Sequence, residues 1–158
     1  MNWDGDYELA KEMMKKAKDF GCNAVKFQAF EESAVKDHPE KIRLITENNV
    51  ENINELAKAV GIEWFCTPMY PNAVDFLIPF VNRIKIRVAD AIPLLENKTT
   101  KLLEKVFSTD KKIIASCQTS PKNSKYYNYS NIKWLYCVSK YPCDFTDLNF
   151  QKIGDFDG

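Results

Sequence analysis

Five short apolar runs limit what this chain can fold into. They are Asn23-Ala-Val-Lys-Phe-Gln28, Glu63-Trp-Phe-Cys-Thr-Pro68, Arg83-Ile-Lys-Ile-Arg-Val-Ala-Asp90, Lys112-Ile-Ile-Ala-Ser-Cys117 and Lys133-Trp-Leu-Tyr-Cys-Val-Ser139. Each ends in small or polar residues suited to holding a ligand, and most are separated by stretches with helical periodicity. Strands spaced by helices pair in parallel through right-handed crossovers. In such α/β proteins chemistry collects at the carboxyl ends of the strands. Five parallel strands make either an open sheet or an incomplete barrel, and periodicity alone does not choose between them. At 158 residues the chain reads as one domain over residues 1–158. That is short of the roughly 250 residues of a full eight-stranded barrel.

The intervening segments carry helix signals. Asp6 to Phe20 places Ala10, Met13, Met14 and Ala17 on one face, with Asp6 as cap and Gly21 as stop. Glu31 to Asn49 reads as a long polar loop with at most a helical turn. Glu51 to Val60 is a helix with Ile53, Leu56, Ala57 and Val60 on one face, closed by Gly61. Asn72 to Phe80 is a short helix behind Pro71, and strand three is expected to run from Arg83 to about Ala89. Pro93 to Phe107 reads as one long helix opening on a proline. Thr119 to Asn131 has no apolar period, so this crossover is expected to be a loop that leaves its flank of the sheet exposed. Strand five is expected over Ile132 to Val138, followed by a polar tail without a capping helix.

Composition removes several function classes. Lys plus Arg and Asp plus Glu are both 22, a formal net charge of zero, which gives no nucleic-acid-binding balance. No apolar run approaches the roughly 20 residues of a membrane span, and the polar, acidic start does not read as a signal peptide. The five cysteines, Cys22, Cys66, Cys117, Cys137 and Cys143, contain no CxxC pair. They read as reduced thiols of a cytoplasmic protein. His38 is the only histidine and sits in the polar loop, which argues against zinc, His-dyad and Ser-His-Asp chemistry.

The residues that can carry chemistry lie in and after the strands. Alternation puts Lys26 and Gln28 on one face of the first strand, and Lys85 and Arg87 on one face of the third. A lysine between apolar neighbours is costly to bury unless it is paired or serves an anion. A phosphate or carboxylate ligand would compensate both lysines; the other reading is that they snorkel to water at strand ends. Thr67, Ser116 and Ser139 follow apolar runs, either as turn hydroxyls or as ligand contacts. Asp90 is read at the end of strand three, as a general acid/base or hydroxyl contact, or as the cap of the helix near Pro93.

Taken together, these segments resemble the sialic acid (N-acetylneuraminate) synthase family, NeuB-like, whose members are phosphoenolpyruvate-dependent α/β barrels. Asn2-Trp-Asp-Gly-Asp6 is similar to the family's Asn-His-Asn-Gly-Asp segment, and Val25-Lys-Phe-Gln28 matches a family signature. Gly61-Ile-Glu-Trp-Phe-Cys-Thr-Pro68 follows its third-strand pattern. Lys85-Ile with Ala89-Asp-Ala resembles its Lys-Ile-x-Ser-Gly-Glu strand, Ile113-Ile-Ala-Ser116 its Ile-Leu-Ser-Thr-Gly run, and Tyr136-Cys-Val-Ser-Lys-Tyr-Pro142 its His-Cys-x-Asn/Ser-x-Tyr-Pro.

The resemblance implies an incomplete TIM-type (β/α) barrel with about five parallel strands, the family's first strand and last two being expected outside Met1–Gly158. It implies a transferase of carbohydrate biosynthesis that condenses phosphoenolpyruvate with an N-acylated amino sugar, such as N-acetylmannosamine, to a nine-carbon sugar acid. Lys26, Thr67, Lys85, Ser116 and Ser139 would hold phosphoenolpyruvate, and Gln28, Asp90 and Tyr141 would face the sugar. Lys26, Lys85 and Asp90 would be the catalytic residues. The full-length family uses a divalent metal (Mn²⁺ or Mg²⁺) held by two histidines, which are expected beyond Gly158, so the chain by itself is expected to be inactive. Val88 stands where the family has a phosphate-binding serine, Asp90 is shorter than the expected glutamate, and Arg87 replaces a small residue, as an anion contact or as a pocket filler. The alternatives are a non-catalytic relic or subunit that binds an anionic metabolite or completes its open sheet with a partner, a homo-oligomer included. Another phosphoenolpyruvate-dependent 3-deoxy sugar acid synthase is the third reading.

Overall fold

The computed structural model describes residues 3–36 and 43–158, so His38 and Asn2 lie outside the described residues. The chain forms two compact units, residues 1–82 and 83–158.

The first unit runs α1 (Tyr7–Asp19), β1 (Ala24–Ala29), a 3₁₀ turn (Glu32–Ala34), α2 (Val50–Val60), β2 (Glu63–Pro68) and α3 (Pro71–Leu77). Asp6 caps α1 by accepting the Leu9 N–H at 3.0 Å. Two helices end in the same device. Gly21 and Gly61 take positive φ, 85° and 72°. The next amides, of Cys22 and Ile62, then reach back to the carbonyls of Ala17 and Ala57. β1 and β2 pair in parallel from Ala24↔Glu63 to Ala29↔Pro68. Ala10, Met14, Phe27, Ile53, Ala57, Trp64, Val74 and Leu77 are buried, whereas Met13, expected on the buried face of α1, is exposed. Asn54 is buried on α2 because its Oδ1 accepts the Trp64 indole N–H at 3.2 Å.

The second unit runs β3 (Arg83–Ile86), α4 (Val88–Leu95), α5 (Lys101–Phe107), β4 (Lys112–Cys117) and β5 (Ile132–Tyr136), then 3₁₀ turns at Phe145–Asp147 and Phe150–Asp155. β3 pairs with β4, and β4 with β5, all in parallel. Four expectations are corrected here. Strand three stops at Ile86 rather than Ala89, because the Arg87 carbonyl accepts the Asp90 and Ala91 amides and opens α4. The single helix from Pro93 to Phe107 is two. Asn97 adopts φ 61°, and the Asn97 and Lys98 amides turn back to the Leu94 and Pro93 carbonyls. Asparagine here does what glycine does in the first unit, and Thr100 then caps α5 through the Leu103 N–H.

The third correction concerns the crossover before β5. It has no helix, as expected, but its flank is not bare. Tyr126 is buried and stacks on Phe107 at 5.4 Å, and Ser124 donates to the Leu94 carbonyl at the end of α4. Fourth, β5 ends at Tyr136 rather than Val138, and the tail returns to it. The Asp157 carboxylate accepts the Trp134 N–H and the Lys133 ammonium, and the Gly158 carbonyl accepts the Tyr136 N–H, each at 2.8 Å. No helix among the described residues is long and apolar enough to cross a membrane.

Candidate functional site

In the second unit, alternation along β3 gives Lys85 its position. Ile84 and Ile86 are each 1% exposed and take one face, so Lys85 leaves the other. The register Lys85↔Ile114 places Ser116 on the same face, one alternation further along β4. The Lys85 ammonium, in a residue only 9% exposed, donates to the Ser116 hydroxyl at 2.5 Å and to the Ile86 carbonyl at 2.8 Å. Two neutral lone pairs therefore replace part of its lost hydration. Sequence reasoning named both residues, and the structure brings them into contact.

Cys117 follows Ser116. Burial pushes its thiol up to about 11, the Lys85 charge opposes the rise, and Cys137 adds to it. Asp90 lies in the first turn of α4, not at the end of a strand. Its carboxylate is engaged by Arg87, with Nε to Oδ2 at 2.5 Å and Nη2 to Oδ1 at 3.4 Å. This pairing was not foreseen, although the i,i+3 spacing was visible once the helix began at Val88. Ser139 and Tyr141 lie beyond β5 and are exposed.

In the first unit, Lys26 and Gln28 are half-buried on β1, and the register sets them opposite Phe65 and Thr67 of β2. These four residues share one face, while Phe27, Trp64 and Cys66 fill the other. Thr67 is 2% exposed. Burial lowers the Lys26 pKa from its ordinary value, and a negative charge on Cys66 would act the other way. Burial pushes the Cys66 thiol up to about 12, against the opposing pull of the Lys26 charge and of backbone hydrogen bonds at Ala29 and Thr67. A hollow of about 670 Å³ beside α1 is lined by Trp3 and Gly5 of the Asn2–Asp6 segment together with Tyr7, Lys36 and Arg43 among others.

The two buried thiols give a direct check on these environments. At pH 8 a thiol of pKa about 12 is ionised to roughly one part in ten thousand. Iodoacetamide on the folded protein should therefore alkylate the exposed Cys22 and Cys143 and spare Cys66 and Cys117. Peptide mass mapping reads the result, and rapid labelling of Cys66 would contradict its packing.

Among the described residues, no three His, Cys, Asp or Glu side chains gather as a metal site. The described residues therefore offer no ligand set that fits a divalent ion.

The N,N'-diacetyllegionaminic acid synthase of Legionella pneumophila is 29% identical over 97% of this chain and 51% of its own length. The N-acetylneuraminate-9-phosphate synthase of Drosophila melanogaster is 25% identical, over 96% of this chain and 47% of its own. The N-acetylneuraminic acid synthetase of Leptospira borgpetersenii serovar Hardjo-bovis, solved in complex with citrate, superposes with a TM-score of 0.75 at 26% identity. That superposition covers 97% of this chain and 56% of that one. The chain spans about half the length of the curated relatives it matches, and its five strands are those of an α/β, TIM-type (β/α) barrel. The NeuB family model matches residues 32–157, and the chain belongs to the NeuB family.

Proposed function

We propose that this chain carries the phosphoenolpyruvate-binding strands of a sugar acid synthase, in which phosphoenolpyruvate condenses with an N-acylated amino sugar to give a nine-carbon sugar acid. The observation that carries the reading is Lys85, a buried ammonium cradled by the Ser116 hydroxyl on parallel strand ends of a NeuB-family chain. A desolvated cation beside a hydroxyl donor suits an anionic oxygen, which takes up the charge and the hydroxyl proton together. In the second unit, Lys85 and Ser116 are assigned to the anionic groups of phosphoenolpyruvate, with Ser139 joining them from the segment after β5. In the first unit, Lys26 and Thr67 take the same role. Gln28, with an amide that both donates and accepts, and Tyr141 are assigned to the sugar. Asp90 is not assigned to acid/base chemistry, because both its carboxylate oxygens face Arg87.

The chemistry asked of these residues is electrostatic. As the enol carbon attacks the sugar aldehyde, negative charge develops on the aldehyde oxygen while phosphate and carboxylate must stay fixed. Fixed ammonium and hydroxyl donors hold the anionic reactant in one orientation and need little reorganisation as charge moves. Loss of phosphate follows collapse of the tetrahedral intermediate formed by water addition. Burial lowers the Lys26 pKa by disfavouring its charged form, and an anion bound beside it would act in the opposite direction.

Isothermal titration calorimetry of the chain with phosphoenolpyruvate tests the reading. Saturable binding that weakens by at least about tenfold in Lys26→Ala is the expected result, since one hydrogen bond to a charged group contributes about 1.5–3 kcal/mol. Absence of binding to the folded wild type would remove the proposal.

A further inference from the structure

We propose that the hollow beside α1 is a second binding site in the first unit, for a small organic oxyanion, a carboxylate or phosphate carried on a flat apolar body. None of Lys26, Gln28 and Thr67 is among its described lining residues. At about 670 Å³ it falls within the range of small-molecule pockets, about 300–1,000 Å³. Its lining divides into an apolar part and a charged part. Trp3 and Val35 are buried, and Tyr7 and Leu44 are half-buried. The Trp3 and Tyr7 rings lie 5.3 Å apart. Lys36, Arg43 and Glu32 are exposed, two cations against one carboxylate. Among the described residues neither Lys36 nor Arg43 has an ion-pair partner. No internal carboxylate therefore has to be displaced before an anion reaches these donors.

Backbone contacts hold both sides of the hollow in place. The Arg43 N–H donates to the Trp3 carbonyl at 2.7 Å. The Arg43 stem then crosses Gly5 so closely that a Cβ there would lie 2.7 Å from Arg43 Cγ. Gly5 also takes φ 101°, so the turn and the close approach both call for glycine. Across the hollow, the Asn49 side chain donates to the Leu44 carbonyl at 2.8 Å and accepts the Thr46 N–H at 2.9 Å. Walls fixed before binding lower the ordering cost that a ligand must overcome. Trp3 adds a buried indole N–H that meets no acceptor among the described residues. An oxygen brought by a ligand would supply one.

The test uses three probes that share one ring and differ in the head group: benzoate, phenyl phosphate and benzamide. Heteronuclear NMR of the isotope-labelled intact chain follows the Trp3 indole resonance, identified by its loss in Trp3→Phe, and the amide spectrum shows that each variant is folded. Benzoate or phenyl phosphate should shift that resonance saturably, and uncharged benzamide should not at the same concentrations. The tighter of the two anions identifies the head group. Arg43→Gln should weaken its binding about fivefold, because a charge-assisted contact at an exposed rim is partly screened. Lys85→Met should leave the shift unchanged. The inference is overturned if neither anion moves the Trp3 resonance, if benzamide moves it equally, or if Arg43→Gln binds as tightly as wild type. Loss of the shift in Lys85→Met would also overturn it, by placing the anion with Lys85, and would leave the proposed function standing.

Discussion

Lys85→Met is expected to weaken phosphoenolpyruvate binding about a hundredfold while leaving the chain folded. At an effective dielectric of about 20, unit charges 4 Å apart attract by about 4 kcal/mol. An ammonium in a residue that is 9% exposed is poorly screened, so most of that attraction reaches a bound anion. Methionine keeps the unbranched stem and removes the charge. The fold loses the donor to the Ser116 hydroxyl and the Ile86 carbonyl, about 1 kcal/mol each. It also loses the desolvation penalty of a buried cation, which acts in the opposite direction. A melting temperature close to wild type together with binding reduced by two orders of magnitude is the combination to look for in parallel calorimetry and thermal denaturation. Undiminished affinity would show that Lys85 faces no anion.

Phe27→Ala should be the most damaging single change to the first unit, costing about 3–5 kcal/mol. The ring is fully buried, meets Trp64 edge to face at 6.0 Å and 84°, and lies in the middle of β1. Its removal leaves a cavity walled by a side chain that has little freedom to collapse inward, because the Trp64 indole is tethered to Asn54 Oδ1. Against a typical total stability of about 5–15 kcal/mol, such a loss leaves a marginal or unfolded protein. Urea denaturation reads the difference, and a loss below about 1 kcal/mol would mean that the Phe27 face is repacked with ease.

The strands were legible because their signal is short-range: alternation and β-branched content name β1, β2 and β4 nearly to the residue. The two glycine-ended helices were legible for the same reason, since Gly21 and Gly61 are the residues that left-handed backbone favours. What failed was punctuation by residues with two uses. Asn97 ends a helix by a left-handed turn, yet asparagine is equally at home inside loops, and so α4 and α5 were read as one. Arg87-Val-Ala-Asp90 has the composition of a strand end, and only the backbone turn at Arg87 makes it the start of a helix. That misplacement carried into the site. Asp90 looked like a strand-end acid because its ion pair with Arg87 exists only in the helical spacing. Lys85 and Ser116 could be placed on a common face from the sequence because both sit within strands, where register does the positioning. Ser139 and Tyr141 were named from a motif that continues past the end of β5, where no ladder fixes their direction.

The helix-free crossover into β5 bears on how the second unit folds. Ile113 and Ile132, partners across β4 and β5, are separated by roughly half the sequence distance between Ala24 and Glu63 across β1 and β2. Halving a closed loop lowers its entropic cost by about 0.6 kcal/mol, and no helix need form before these strands meet. Tyr126, a few residues before β5, stacks on Phe107 at the end of α5 and supplies an apolar contact that holds the closed loop. The shorter closure gives the parallel β4–β5 pair a lower entropic cost than β1–β2, which favours its early pairing and, with it, early placement of the Ser116 hydroxyl.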